Sequence, residues 1–171
     1  MLSCAFDTMT VIYELAEGHA DPAIQELHRR ARILSAALTE QKATIILPTV
    51  VVSELLTGIE PANHGQFLAT LQARFLIPPL DLRAAALAAQ LWIEHRKLPP
   101  DQKLERRVLK ADVLVVASAK VAGATVFYSH DTKARTLANL AKMEARDLPT
   151  HSEKLFEGAP PGKSQKKPSS P

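Results

Sequence analysis

Asp7, Glu54, Asp112 and Asp131 each border or interrupt an apolar stretch, and their shared type sets the chemistry they could do. Asp7 ends the run LSCAF, Glu54 breaks the segment TVVVSELL, Asp112 opens DVLVVASAKVA, and Asp131 follows ATVFYSH. Carboxylates brought together without matched bases repel one another and raise each other's pKa unless a cation neutralises them. Hard divalent ions with oxygen ligands, Mg²⁺ or Mn²⁺, suit such a cluster. A pair of them about 3.5–4 Å apart can activate a water and stabilise the leaving oxygen of a phosphodiester. Each acid taken alone also has a structural role open to it. Asp131 and Asp112 could be helix N-caps, and Asp7 before Thr8 could be an ordinary strand-to-helix turn. Glu54 is the hardest to explain that way, because its neighbours are apolar.

Whether the acids meet depends on the elements that carry them. The apolar run 2–6 reads as a buried strand, followed by a short helix over 8–17 that stops at Gly18. Asp21-Pro22 supplies an N-cap and a proline at the first helical position. From there Ile24, Leu27, Ala31, Leu34 and Leu38 mark one face of a long helix to about Lys42. Thr44-Ile45-Ile46-Leu47 is a second strand, and a helix over 50–56 closes at Gly58. Further helices are predicted over 62–73 and 81–97, the latter N-capped by Asp81 with Leu82, Ala85, Ala86, Ala89, Trp92 and Ile93 inward. Between them Phe75-Leu76-Ile77 reads as a short strand stopped by Pro78-Pro79, and Pro99-Pro100 breaks the chain again. Residues 112–122 are apolar nearly all round; their alanines and Gly123 favour a buried helix beginning at Asp112. A strand over 124–128, a helix over 131–144 and an edge strand over 146–148 complete the series.

Strands alternating with helices predict a three-layer α/β/α sandwich with a largely parallel central sheet. In a parallel sheet, ligands collect beyond the carboxyl ends of the strands. Asp7 and Asp131 directly follow strands, and Glu54 lies one turn into a helix leaving a strand. A helix that precedes a strand must start at that same edge, which brings Asp112 there too. The four acids are therefore expected on one rim of the sheet.

With 171 residues, 46% of them hydrophobic, the chain suits one domain of roughly 100–200 residues. Its single cysteine, Cys4, excludes an internal disulfide framework and a Cys-rich zinc module. No stretch approaches the roughly 18–20 consecutive apolar residues of a membrane span, and no secretory signal is recognisable. A cytoplasmic protein is the expectation. The net charge of +3 invites a nucleic-acid reading, but three lysines near the end, Lys163, Lys166 and Lys167, account for all of it. Residues 1–150 are expected to form the domain, and the Pro-, Ser- and Lys-rich residues 151–171 a disordered tail. Within the body, Arg96, Lys97, Lys103, Arg106, Arg107 and Lys110 make a basic surplus just before Asp112, which is either a solvated helix face or a phosphate-facing patch.

In the segments AFDTMTVI, PTVVVSELLTG, KADVLVVASAKVAG and VFYSHD, by order and spacing, the chain resembles the PIN domain, a metal-dependent ribonuclease fold that includes VapC-type toxins of bacterial toxin–antitoxin pairs. The resemblance covers about residues 1–150. It implies a parallel sheet between helices, a catalytic and metal-binding set of Asp7, Glu54, Asp112 and Asp131, and Mg²⁺ or Mn²⁺ as cofactor. It further implies an endoribonuclease acting on RNA, the toxin of a type II pair, with a VapB-like antitoxin as partner. Where the family usually has Asn or Ser, two residues after the first acid, this chain has Met9, so Thr8 or Thr10 must supply the polar contact. Ser129 stands for the usual Thr and keeps its hydroxyl. Lys133 and Arg135 follow Asp131 where a further acid is common, which leaves one tightly held metal or makes them, with Lys110, contacts for RNA phosphates. His130 is not assigned as a general base, because metal-bound water needs none.

Two other readings were weighed. A catalytically silent PIN-like module binding RNA or protein gains from Met9 and from the neutral body. A phosphatase of the haloacid-dehalogenase kind needs a second Asp two residues after the first, and Met9 excludes it. Apolar helix faces over 24–38 and 62–71 suggest a homodimer or antitoxin contact. The RNA target is not readable from the sequence.

Overall fold

The computed structural model describes residues 2–150 except Leu104, with the backbone alone for Arg106 and Arg107. The expected tail over 151–171 lies outside the described residues. Four strands, β1 (Ser3–Phe6), β2 (Thr44–Ile46), β3 (Val126–Tyr128) and β4 (Glu144–Arg146), form one sheet in the order β2-β1-β3-β4. Every pairing is parallel, with Ser3 opposite Thr44, Cys4 opposite Val126, and Val126 opposite Glu144. The helices are α1 (Thr8–Leu15), α2 (Pro22–Glu40), α3 (Thr49–Leu56), α4 (His64–Arg74), α5 (Leu82–His95), α6 (Arg106–Val121) and α7 (Thr132–Leu140). The fold is a three-layer α/β/α sandwich, with α1 packed on α2 and α3, and α6 on α3, α5 and α7. Apart from the half-buried Ser3 that opens β1, the central strands β1 and β3 are buried, as parallel strands covered on both faces must be. At their centre Phe6 meets Phe75 and Tyr128 edge-on, at ring-centroid distances of 6.3 and 6.1 Å.

Several elements differ from expectation. Phe75-Leu76-Ile77 is not a strand: Leu76 makes a single parallel bridge to Ile46, its N–H donating to Ile45 and its carbonyl accepting from Leu47, both at 2.9 Å. Pro78 and Pro79 have no N–H with which to extend that ladder. Helix α6 starts at Arg106, six residues before Asp112, because a 3₁₀ turn over Pro100–Gln102 absorbs the proline break and lets the chain re-enter helix early. Asp112 therefore sits in the second turn and is not a cap. Helix α7 ends at Leu140, so β4 begins at Glu144, earlier than the expected edge strand.

The α7 stop lies at Lys142, whose φ is +55°. Its N–H donates to Asn139 and that of Met143 to Ala138, the paired bonds of a Schellman turn. Lys42 (φ +53°) ends α2 in the same way, and Gly123 (φ +93°) ends α6. Only one of these three helix-to-strand turns uses glycine, so a search for glycine misses the other two. On α5 the buried stripe is Ala84, Ala88, Leu91 and His95, while Leu82 and Ile93 are 88% and 54% exposed. Of the expected inward set, Trp92 is half-buried against the core, while Ala85, Ala86 and Ala89 lie with Leu82 and Ile93 on the outer face of this alanine-rich helix. The 24–38 face of α2 is covered by the chain's own core, with Ala31, Leu34 and Leu38 buried, and so calls for no partner. Among the described residues no helix is long and apolar enough to cross a membrane.

Candidate active site

The site is assembled at the carboxyl edge of the sheet. Asp7 leaves β1 in extended conformation (ψ 173°) and caps α1, its Oδ1 accepting from the Thr10 N–H at 2.7 Å. Asp131 leaves β3 by way of Ser129 and His130 and caps α7, accepting from the N–H groups of Lys133 and Ala134 at 2.7 and 3.4 Å. The two turns are joined by one hydroxyl. Ser129 Oγ, fully buried, donates to Asp7 Oδ2 and accepts from the Asp131 N–H at 3.0 Å. A threonine or serine is required here, because one atom must both donate and accept.

Glu54 reaches the same edge from the second turn of α3 and accepts from the Thr8 hydroxyl. The Thr10 hydroxyl instead donates to the Tyr128 carbonyl at 3.3 Å. The polar contact expected of Thr8 or Thr10 is thus divided between them: one holds an acid and the other holds β3. Asp112 completes the rim from α6. All four carboxylates line one cleft of ≈ 360 Å³, together with Thr8, Met9, Val108 and a floor of Val115, Val116 and Phe127.

The electrostatics show that the acids act on one another. Burial, and then the charges of Glu54, Asp131 and Asp7, push Asp112 up to about 7. Asp7 is also raised, by burial first, against hydrogen bonds from Ser129 and Thr10 that favour its charged form, with Asp131 adding to the rise. Among the described residues no Lys, Arg or His lines the cleft to relieve this repulsion. Among the described residues no three His, Cys, Asp or Glu side chains already converge on one point as ion ligands. The donor set nevertheless fits a hard divalent cation in kind: oxygen ligands only, an excess of negative charge, and a cleft between them. The residues able to hold it are Asp7, Glu54, Asp112 and Asp131.

The basic candidates stand outside the cleft lining. Lys110 is exposed on α6, and Lys133 is exposed in the first turn of α7. Arg135 is engaged with backbone, Nη1 donating to the Ser129 and His130 carbonyls at 2.7 and 2.9 Å. His130 is exposed and turned to Asp147, Nδ1 to Oδ1 at 3.0 Å. Cys4 is buried in β1 and its thiol is pushed up to about 12 by that burial, which makes it inert. Asp147 was not singled out from the sequence. It directly follows β4, but the expected strand over 146–148 enclosed it, so the edge rule that found Asp7 and Asp131 passed it over.

The PIN domain family model matches residues 10–140. No curated protein matches the chain by sequence. Among solved structures, VapBC-1 from nontypeable Haemophilus influenzae is similar at a TM-score of 0.61 and 14% identity, over 86% of this chain and 98% of that one. VapBC2 from Rickettsia felis, bound to a DNA fragment from their promoter, gives 0.58 and 12% over 85% and 98%. VapBC-5 from Mycobacterium tuberculosis, a member of the VapBC family of toxin-antitoxin systems, gives 0.50 and 18% over 86% and 99%. At these identities the likeness speaks for the fold, and it agrees with the parallel sheet and the order of helices. With a family model spanning most of the described residues and the acids carried by its expected segments, the chain belongs to the PIN domain family.

Proposed function

We propose that this chain is a Mg²⁺- or Mn²⁺-dependent endoribonuclease and the toxin of a type II toxin–antitoxin pair, working in the cytoplasm with a VapB-like antitoxin as partner. The observation that carries the reading is the convergence of Asp7, Glu54, Asp112 and Asp131, from four different elements, on one cleft where burial and then the charges of the other three raise Asp112 to about 7. Such uncompensated acids cost stability, and active sites are where that cost is met. The partner follows from the VapBC neighbours.

A divalent cation held by these carboxylates would supply Lewis-acid stabilisation of a scissile phosphodiester and lower the pKa of water. The chain's own groups prepare the place. Ser129 and the Thr10 N–H fix both oxygens of Asp7, so its carboxylate cannot rotate away from the cleft. Thr8 orients Glu54. Met9 and Val108, both 43% exposed at the mouth, give an apolar surface on which an unpaired nucleobase can rest. Lys110 and Lys133 flank the acids in sequence and are placed to steady backbone phosphates.

The test is incubation of the purified protein with tRNA and rRNA pools under Mg²⁺, Mn²⁺ or EDTA, beside Asp7→Asn. Cation-stimulated cleavage that disappears in EDTA and in the variant is expected. RNA or partner binding without any cleavage under either cation would overturn the enzymatic reading in favour of a silent PIN-like module.

A further inference from the structure

Behind the acidic rim lies a second cluster that the proposed chemistry does not use. Asp147, just past β4, accepts from His130 Nδ1 at 3.0 Å and from the Leu148 N–H at 2.6 Å. Its Oδ1 also lies 3.3 Å from Arg30 Nη2 and 3.6 Å from Arg135 Nη1. Arg30 extends from α2 and donates to the Leu148 carbonyl as well. Arg135, one turn into α7, is only 20% exposed and donates to the carbonyls of Ser129 and His130. These two carbonyls belong to the turn that carries Asp131, and Ser129 carries the hydroxyl that joins Asp131 to Asp7.

We propose that Arg135, backed by Asp147, is a positioning residue for the acidic site: it clamps the Ser129–His130 backbone so that the Ser129 hydroxyl sets the spacing of Asp7 and Asp131. A planar guanidinium suits this task. Its planar group fixes the direction of each N–H, and here Nη1 donates to both carbonyls while the Asp147 carboxylate lies 3.6 Å from the same nitrogen. An ammonium at the end of a flexible stem cannot hold that geometry. Ser129 is otherwise restrained by its N–H, which donates to the Arg146 carbonyl at 3.0 Å, so the turn is anchored to β4 and to α7 together. Outer groups that orient metal-binding carboxylates typically change affinity or activity by about 10–100-fold when removed.

The alternative role for Arg135 is direct contact with RNA phosphate, and the two roles separate experimentally. The kinetic part rests on the nuclease reading; the structural part does not. Arg135→Met and Arg135→Lys are compared with the wild-type chain by Mn²⁺ titration calorimetry without RNA, by kcat and KM on a cleaved RNA, and by amide hydrogen exchange at Asp131. Both variants are expected to weaken Mn²⁺ binding about tenfold, to lower kcat about tenfold with KM changed less than twofold, and to speed exchange at the Asp131 amide. Recovery of wild-type kcat and Mn²⁺ affinity by Arg135→Lys would show that charge alone suffices and would overturn the clamp. Unchanged exchange at Asp131 in Arg135→Met would overturn it too, whether or not the protein cleaves RNA. Absence of cation-stimulated cleavage in the wild-type chain would count against the nuclease reading alone. Should Arg135→Met fail to fold, Asp147→Asn loosens the same clamp from behind and is read by the same exchange signal.

Discussion

Asp112 and Asp147 are carboxylates at the same edge of one sheet, and their surroundings push them in opposite directions. Around Asp112, burial and the charges of Glu54, Asp131 and Asp7 raise the pKa to about 7, and among the described residues no basic side chain lines the cleft. Burial would raise Asp147 as well. There, the bond from His130, the Leu148 N–H and the charge of Arg30 outweigh it and hold the group below the ordinary carboxylate range. An acid supplied with partners contributes to the fold, whereas acids left without them are a standing electrostatic cost. The turn Ser129–Asp131 is the boundary between the two regimes. One of its sides faces the cleft and the other faces the basic cluster.

The largest expected effect follows from removing a cleft acid. Asp112→Asn should lower RNA cleavage by about 10²–10³-fold, since a carboxylate that helps hold the charge-stabilising cation is lost. Yet it should stabilise the metal-free protein. The folded-state pKa, about 7, lies above the ordinary value of 3.8, so the native state holds this proton more tightly than the unfolded chain does. The charged form therefore costs nothing below about pH 4, progressively more between 4 and 7, and its full amount above 7. Three pH units correspond to at most ~4 kcal/mol, and partial exposure brings the expectation to about 2 kcal/mol. Urea melts in EDTA at pH 5 and pH 8 check this: the variant should gain over the wild type mainly at pH 8. A loss of stability at pH 8 would place Asp112 among the structural acids.

Next comes the response to ions. At pH 8 Mg²⁺ or Mn²⁺ should raise the melting temperature of the wild-type protein, because an ion bound only by the native state stabilises it by mass action. The rise should shrink or vanish in Asp112→Asn and be reduced only in part in Asp147→Asn, which loosens the Arg135 clamp but leaves every cleft acid in place. Thermal scans with and without EDTA measure it. An equal rise in all three proteins would mean that the cation sits elsewhere.

For Asp147→Asn alone the sign reverses. Its folded-state pKa is depressed, so its stabilisation is fully present above the ordinary carboxylate range and is lost as pH falls through the folded value. The variant should lose about 1 kcal/mol at pH 7, since Asp147 is 39% exposed and such pairs are worth little, while Arg30 behind it is only 13% exposed and loses a neutralising neighbour. The deficit should begin to close as pH falls below the ordinary carboxylate range and be gone only below the folded value. A denaturant series across pH 3–7 reads it directly.

The cleft was legible in the sequence because it obeys a rule of topology. Asp7 and Asp131 follow β-rich runs, Glu54 interrupts an apolar segment, and a helix leading into a strand must begin at the same edge as those acids. Asp112 reached the rim even though its helix begins at Arg106, since nearly two extra turns at the start of α6 leave that helix crossing the same edge. The cluster behind the rim was not legible. Arg30 and Asp147 lie far apart in the chain, and their pairing depends on how α2 settles against the end of β4. Periodicity shows which face of a helix is apolar, not which charged residue at its border will meet a distant carboxylate. The turns at Lys42 and Lys142 escaped for a related reason: a left-handed residue is signalled by glycine, and lysine accepts that conformation here because the Schellman bonds hold it.

The smallest effect concerns whether the basic residues outside the cleft touch substrate. Lys133→Ala removes an exposed ammonium two residues after Asp131, while its N–H still bonds Asp131 through the backbone. Stability and Mn²⁺ affinity should therefore stay unchanged. If Lys133 steadies an RNA phosphate, KM should rise about two- to threefold, and the slope of log affinity against log salt should fall by about 0.7, the value for one contact on a single strand. Lys110→Ala should behave alike from the α6 side. A salt slope that stays the same in both variants would rule out Lys110 and Lys133 as phosphate contacts and leave the acidic cleft, with the cation proposed to occupy it, as the main attraction for RNA.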